Sequence, residues 1–184
     1  PYYLAQKELV LSLKALRRRI DATAPVIIVA QSLGGQVVSN YLWDANKTNN
    51  AGKPVPARDG FWSYSTGLSE ADDVFCRGKR VARLITTGCN IPLFVAGRDE
   101  EKIKPIKPLN DAFKWLNYYD KDDVLGWPLS QLSPAYAEAV VDKQMNAGFF
   151  AGLTPLSHVH YWRDRTFLKA LGNELRKLSN LSMS

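Results

Sequence analysis

The segment Ala30-Gln31-Ser32-Leu33-Gly34-Gly35 sets a serine between a short apolar run and a helical pattern, with small residues two positions before it and two after. That spacing suits a sharp strand-to-helix turn from which the serine hydroxyl projects at a sheet edge, because bulk at either small position would block the bend. Such a turn places Ser32 at a helix N-terminus, where free backbone N–H groups and the helix dipole favour developing negative charge. The N–H of Leu33 is the expected oxyanion donor. The competing use of the serine is structural, since serine is a favoured helix N-cap.

A serine hydroxyl attacks only when a base takes its proton, and histidine titrates near neutrality. The chain has two histidines, His158 and His160, both in Leu156-Ser157-His158-Val159-His160-Tyr161-Trp162, and chain order allows either as the base. Two histidines at this spacing without a third ligand make a poor zinc site, so neither a metal nor a cofactor is expected. A carboxylate must then hold the imidazole in one tautomer and stabilise its charged form. Asp120, Asp122 and Asp123 compete for that role, at the end of a predicted strand where open α/β sheets place their ligands. Asp120 is placed to cap the turn, Asp122 or Asp123 to reach the sheet edge, and a solvated acidic turn accounts for those not used.

These residues need a scaffold, and hydrophobic periodicity supplies one. Leu9, Leu13, Leu16 and Ile20 fall on one face of a helix over 3–20. Residues 26–30, an unbroken apolar run rich in β-branched side chains, read as a central parallel strand buried on both faces. A second helix is expected over 33–43, further strands over 81–86, 113–119 and 140–145, and a closing helix over 165–178 with Phe167, Leu168, Leu171, Leu175 and Leu178 packed on the sheet. The stretch 44–69, rich in Asn, Gly, Pro and Ser, reads as a long excursion, either a lid or a plain insertion; Trp62, Tyr64 and the later Trp127 are candidates to line an acyl pocket. The alternation predicts a single α/β domain over 1–184, a mostly parallel sheet flanked by helices.

Composition narrows the partners. The formal net charge of +6 invites a polyanion, but only Arg17, Arg18 and Arg19 cluster and no nucleic-acid module signature is present, so nucleic acid is not an expected partner. Cys76 and Cys89 are too few for a disulfide framework and read as small packed thiols. No run approaches the roughly 18 apolar residues of a membrane span, so no transmembrane segment is expected. Compartment and oligomeric state are not legible, with only a slight lean to the cytoplasm.

The serine turn, the Trp115-Leu116-Asn117 strand leading to Asp123-Val124-Leu125-Gly126, and Ser157-His158-Val159-His160-Tyr161-Trp162 together resemble the α/β-hydrolase superfamily in its lipase and esterase-like branch. That fold uses the same chain order of Ser, Asp and His. The resemblance covers essentially the whole chain and implies His158, three residues before the tyrosine, as the base, with His160 beside the site or in a lid. It implies Asp123 as the acid, since an Asp followed by two apolar residues and Gly matches the pattern, with Asp122 its rival. Gln31 departs from the pattern, in which histidine often precedes the nucleophile, and is expected to alter packing without abolishing chemistry. The family also carries several strands ahead of the serine turn, so Pro1 is not expected to be the natural start; roughly a hundred residues would precede it, including the loop that gives the second oxyanion N–H. The implied activity is hydrolysis of a small-molecule ester through an acyl-enzyme on Ser32; thioesterase or acyltransferase chemistry would use the same residues. The alternative is a catalytically silent hydrolase-like binding module, with the basic surface and the 44–69 excursion as its interface.

Overall fold

A computed structural model of the chain describes residues 2–49, 51–53, 55, 60–146 and 157–181. Four strands, β1 (Val26–Gln31), β2 (Val81–Thr87), β3 (Lys114–Asp120) and β4 (Val140–Met145), form one all-parallel sheet in the order β1-β2-β3-β4. Parallel neighbours need crossovers. Here α2 (Leu33–Asn46) and α3 (Glu70–Cys76) lie between β1 and β2, α4 (Ile91–Val95) between β2 and β3, and α5 (Pro134–Ala139) between β3 and β4. The helix α1 (Tyr2–Arg17) precedes the sheet and α6 (Arg165–Leu181) follows it. No described helix is long and apolar enough to cross a membrane.

Side chains alternate between the two faces of a strand, and each face has its own core. Val26, Ile28, Ala30, Leu84, Trp115 and Val140 pack with residues of α1 to α5, whereas Ile27, Val29, Ile85, Leu116, Tyr118 and Met145 pack under Tyr161 and α6. Every residue of β2 is buried, because β2 has strands on both edges and helices on both faces. Arg83 on this strand is 5% exposed, and a charge so buried needs partners. Its guanidinium donates to Glu174 Oε2 of α6 at 2.6 Å and to the carbonyls of Ala82 and Ala112 at 2.6 and 2.5 Å.

Two expectations are corrected, and a third is located in part. Residues 26–30 do not form a central strand: among the described residues β1 is an edge strand, with Ile27, Ile28 and Val29 half-buried. Unbroken apolarity reports that both faces are covered, and says nothing about hydrogen-bonded neighbours on both edges. In α6, Phe167 and Leu178 are buried but Leu168 and Leu175 are 46% and 54% exposed. Leu175 borders an open groove with Leu16, Ile20 and Ile27 beside the free edge of β1. The third concerns the excursion, of which residues 50, 54 and 56–59 lie outside the described residues. Its first residues, through Asn46, belong to α2. Phe61 and Trp62 are buried in the core, where Gln6 of α1 accepts a hydrogen bond from the Phe61 N–H at 2.7 Å and donates to Asp44 at 2.7 Å. Asp44 stands twelve residues along α2 from Ser32, roughly 18 Å at 1.5 Å per residue, so Phe61 and Trp62 pack at the end of α2 far from the serine. Trp62 packs on Tyr41, with Arg77 over its ring at 4.4 Å, and Tyr64 packs edge-on to Tyr3.

One buried polar chain crosses the sheet just before its carboxyl edge. Thr86, Asn117 and Asp142 are register partners on β2, β3 and β4. The Thr86 hydroxyl donates to Asn117 at 2.8 Å, the Asn117 amide donates to Asp142 at 2.7 Å, and Asp142 accepts the N–H groups of Leu129 and Ser130 at 3.0 and 2.8 Å. Satisfied in this way, the chain ties the loop after β3 down beside the strand ends.

Candidate active site

Ser32 follows β1 directly and opens α2. Its backbone lies at φ 52°, ψ −127°, and it is the one non-glycine residue with positive φ among the described residues. A serine held there costs about 1–3 kcal/mol, which persists only where the surroundings impose it. The surroundings are explicit: the Ser32 N–H donates to the Thr87 carbonyl at 2.9 Å, and Gly35 leaves room for the bend. A Cβ on Gly35 would stand 2.7 Å from Cys89 Sγ, so the turn presses directly onto the end of β2. Burial pushes the Cys89 thiol up to about 12 and Cys76 up to about 11, so both are packed neutral thiols. Ser32 makes no side-chain capping bond, unlike Ser69 and Ser133, which each accept an N–H at the start of α3 and α5. The plain N-cap use of this serine is therefore not what the structure displays. Leu33 is the first residue of α2, so its N–H has no intrahelical partner and is free for an anion at the turn.

Asp123 is the aspartate that meets a histidine. His158 Nδ1 lies 2.9 Å from Asp123 Oδ2 and 3.1 Å from Oδ1. The carboxylate is 2% exposed and is held from two further sides, by the Tyr161 hydroxyl at 2.9 Å and the Leu125 N–H at 3.0 Å. Asp120, also buried, turns its carboxylate to the Asp122 N–H at 2.9 Å, while its own N–H donates to the Tyr161 hydroxyl at 3.0 Å. Asp122 is half-buried. His160 is half-buried in the same 3-10 turn, Ser157–Arg163. Leu156, at the start of the histidine segment, lies outside the described residues.

With Nδ1–H given to the carboxylate, Nε2 carries the lone pair. It is buried and has no hydrogen-bond partner among the described residues, so Ser32 Oγ and Nε2 are not joined in this state. Thr87 Oγ1, on the residue that holds the Ser32 N–H, is buried and equally unpartnered. What ties the serine turn to the histidine turn is Gln31. Its amide donates to the His158 carbonyl, and its Oε1 accepts the Trp162 indole N–H at 2.5 Å.

Four residues of this site were not singled out from sequence for what they do here. Tyr161 braces Asp123 from a fully buried position; burial first, and then the neighbouring Asp123 charge, pushes its phenol well above the usual tyrosine range, so it stays a donor. Gln31 is a clasp between two turns rather than a change in packing. Gly88 and Gly126 make the space: a Cβ on Gly88 would stand 2.9 Å from Asp123 Oδ2 and 3.0 Å from His158 Nδ1, and one on Gly126 would stand 2.6 Å from Asp123 Oδ2 and from Gly88 Cα. Glycine directly after β2, at φ 51°, was the available signal. Of the proposed aromatic lining, Trp62 and Tyr64 lie elsewhere, and Trp127 meets the site through its backbone, its N–H on the Cys89 carbonyl at 3.3 Å.

Comparison with known proteins returns no match: no family model, no curated protein and no solved structure is similar to the chain.

Proposed function

We propose that the chain is a serine hydrolase of the α/β-hydrolase type, cleaving carboxylic esters through an acyl-enzyme on Ser32. The observation that supports this reading most is the buried His158–Asp123 pair, whose free Nε2 lies in a turn clasped by Gln31 to the strained bend of Ser32. Ser32 Oγ attacks the acyl carbonyl as His158 Nε2 takes its proton, and Asp123 holds the imidazole by Nδ1 and stabilises its cation. The Leu33 N–H stabilises the oxyanion at the start of α2. The imidazolium then protonates the departing alkoxide, and the same histidine activates the water that releases the acid.

Labelling with a fluorophosphonate probe and turnover of short p-nitrophenyl esters test this directly. Ser32→Ala abolishes labelling, and Ser32→Ala or His158→Ala lowers kcat/KM by at least about a thousandfold. Asp123→Asn costs on the order of 10⁴ in kcat, whereas Asp122→Asn is nearly silent. Labelling that survives Ser32→Ala ends the assignment. The second reading, a catalytically silent binding module, is favoured by the missing hydrogen bond between Ser32 and Nε2, although such bonds often tighten only with substrate bound. A folded wild-type chain that neither labels nor turns over ester supports that second reading.

A further inference from the structure

A cavity of about 470 Å³ lies between α2, α4, the connection after α4, and α5, a size usual for a small-molecule site. Its wall starts close to the serine turn, because Gln36 stands one helical turn beyond Ser32 and Ile91 three residues beyond Gly88. Trp43, Ile91, Phe94 and Ile106 give it an apolar surface. A second cavity of about 370 Å³, walled by Pro105, Ala135 and Ala139, shares Trp43, Lys104 and Ile106 with it and extends that apolar surface toward α5.

Charge distinguishes this cavity from a plain packing gap. Arg98, Lys102 and Lys104 line it and no acidic residue does. Lys102 pairs with Asp99 on the open surface, but Arg98 and Lys104 have no ion pair among the described residues. Tyr136 lines the cavity at 5% exposure, and its hydroxyl makes no hydrogen bond among the described residues. Burial raises its pKa far enough that it remains a donor. A bound acceptor between the Tyr136 hydroxyl and the two cations without an ion pair would give these donors a partner.

We propose that this cavity binds a small amphiphile with a single anionic head, a carboxylate or a phosphate, its head on Arg98, Lys104 and the Tyr136 hydroxyl and its chain along Trp43, Phe94 and Ile106. Arginine takes such a head bidentately and lysine as a point charge. The site is independent of the hydrolase reading, since nothing in it requires Ser32 to be a nucleophile.

Calorimetric titration with octanoate, octyl phosphate, 1-octanol and octylammonium tests it, on the wild-type chain and on Ser32→Ala alike. One-to-one saturable binding is expected for the anions, at least about tenfold tighter than for the alcohol, and equal in Ser32→Ala; the tighter anion identifies the head. Arg98 and Lys104 are exposed, so the double variant Arg98→Gln with Lys104→Gln keeps the wild-type Tm while losing the preference for anions. Tyr136→Phe weakens anion binding a few-fold with little change for the alcohol. No saturable anion binding, equal affinity for all four probes, or a double variant that binds octanoate like the wild type would each overturn the proposal, whatever the fate of ester hydrolysis.

Discussion

Gly88 lacks a side chain where Asp123, His158 and Tyr161 converge, and its φ of 51° lies in the region that L side chains avoid. Both facts forbid the smallest substitution. In Gly88→Ala the new methyl must displace the carboxylate or the imidazole while the residue adopts a strained backbone, at a cost of about 1–3 kcal/mol. The expected outcome is a lower denaturation midpoint and, on the proposed hydrolase reading, an ester hydrolysis rate reduced by at least about a hundredfold, because small displacements of positioned groups are expensive. A Gly88→Ala variant that turns over ester as the wild type does would show that the His158–Asp123 contact does not serve the proposed reaction. Asp123 illustrates the limit of reading at this scale. Three aspartates share a turn of four residues, and their spacing sets Asp120 apart as a turn cap but leaves Asp122 and Asp123 as rivals; burial, Tyr161 and the Leu125 N–H distinguish Asp123.

Among the elements, long and strongly periodic segments were legible and short ones were not. The four strands and the helices α1, α2 and α6 lie within a few residues of their expected bounds, because burial of one face imposes a period on the residues. The short helices α3, α4 and α5 bury too few residues to show a period. Their caps were the only local sign: Ser69 ahead of three acidic residues, and Ser133 ahead of Pro134. The joint between β2 and α6 gives a prediction at this scale. Arg83 and Glu174 meet at 2.6 Å with side chains 7% and 12% exposed. Burial pushes the Glu174 pKa up, but hydrogen bonds from Lys177 and Arg83 outweigh it and leave the pKa below the usual 4.5. A carboxyl with a depressed folded pKa stabilises the fold above about pH 4.5 and loses that contribution as pH falls through the lower folded value. Glu174→Gln therefore costs about 1–3 kcal/mol at pH 7, and the gap between the two denaturation curves closes below that window. A gap that stays constant from pH 7 to pH 3 would remove the ion pair from the account.

For the molecule as a whole, the free edge of β1 is the feature of most consequence. Val26 and Ser32 donate their N–H groups to the carbonyls of Arg80, just before β2, and Thr87, at its end, so the alternation of a strand turns the main chain of Ile27, Val29 and Gln31 to the other side, where no described strand pairs with it. In native-state hydrogen exchange the amides of Ile27 and Val29 are expected to lose their label much faster than those of Ile28 and Ala30. Equal protection along β1 would mean that a further strand covers this edge. An edge of five apolar residues followed by Gln31 is also a template for pairing with another chain, and Leu16, Ile20 and Leu175 border the groove beside it.

Read by itself, the sequence determined the α/β alternation, the serine turn and the order of Ser, Asp and His along the chain. Those are properties of local spacing: a small-residue bend, a run of β-branched side chains, a helical stripe. Only tertiary structure decided that Asp123 meets His158, that Gln31 clasps the two turns, that Trp62 fills the core, and that β1 stands at an edge. Each of these is a contact between residues far apart in the chain. Such contacts depend on register and packing, which leave no period in the residues that make them.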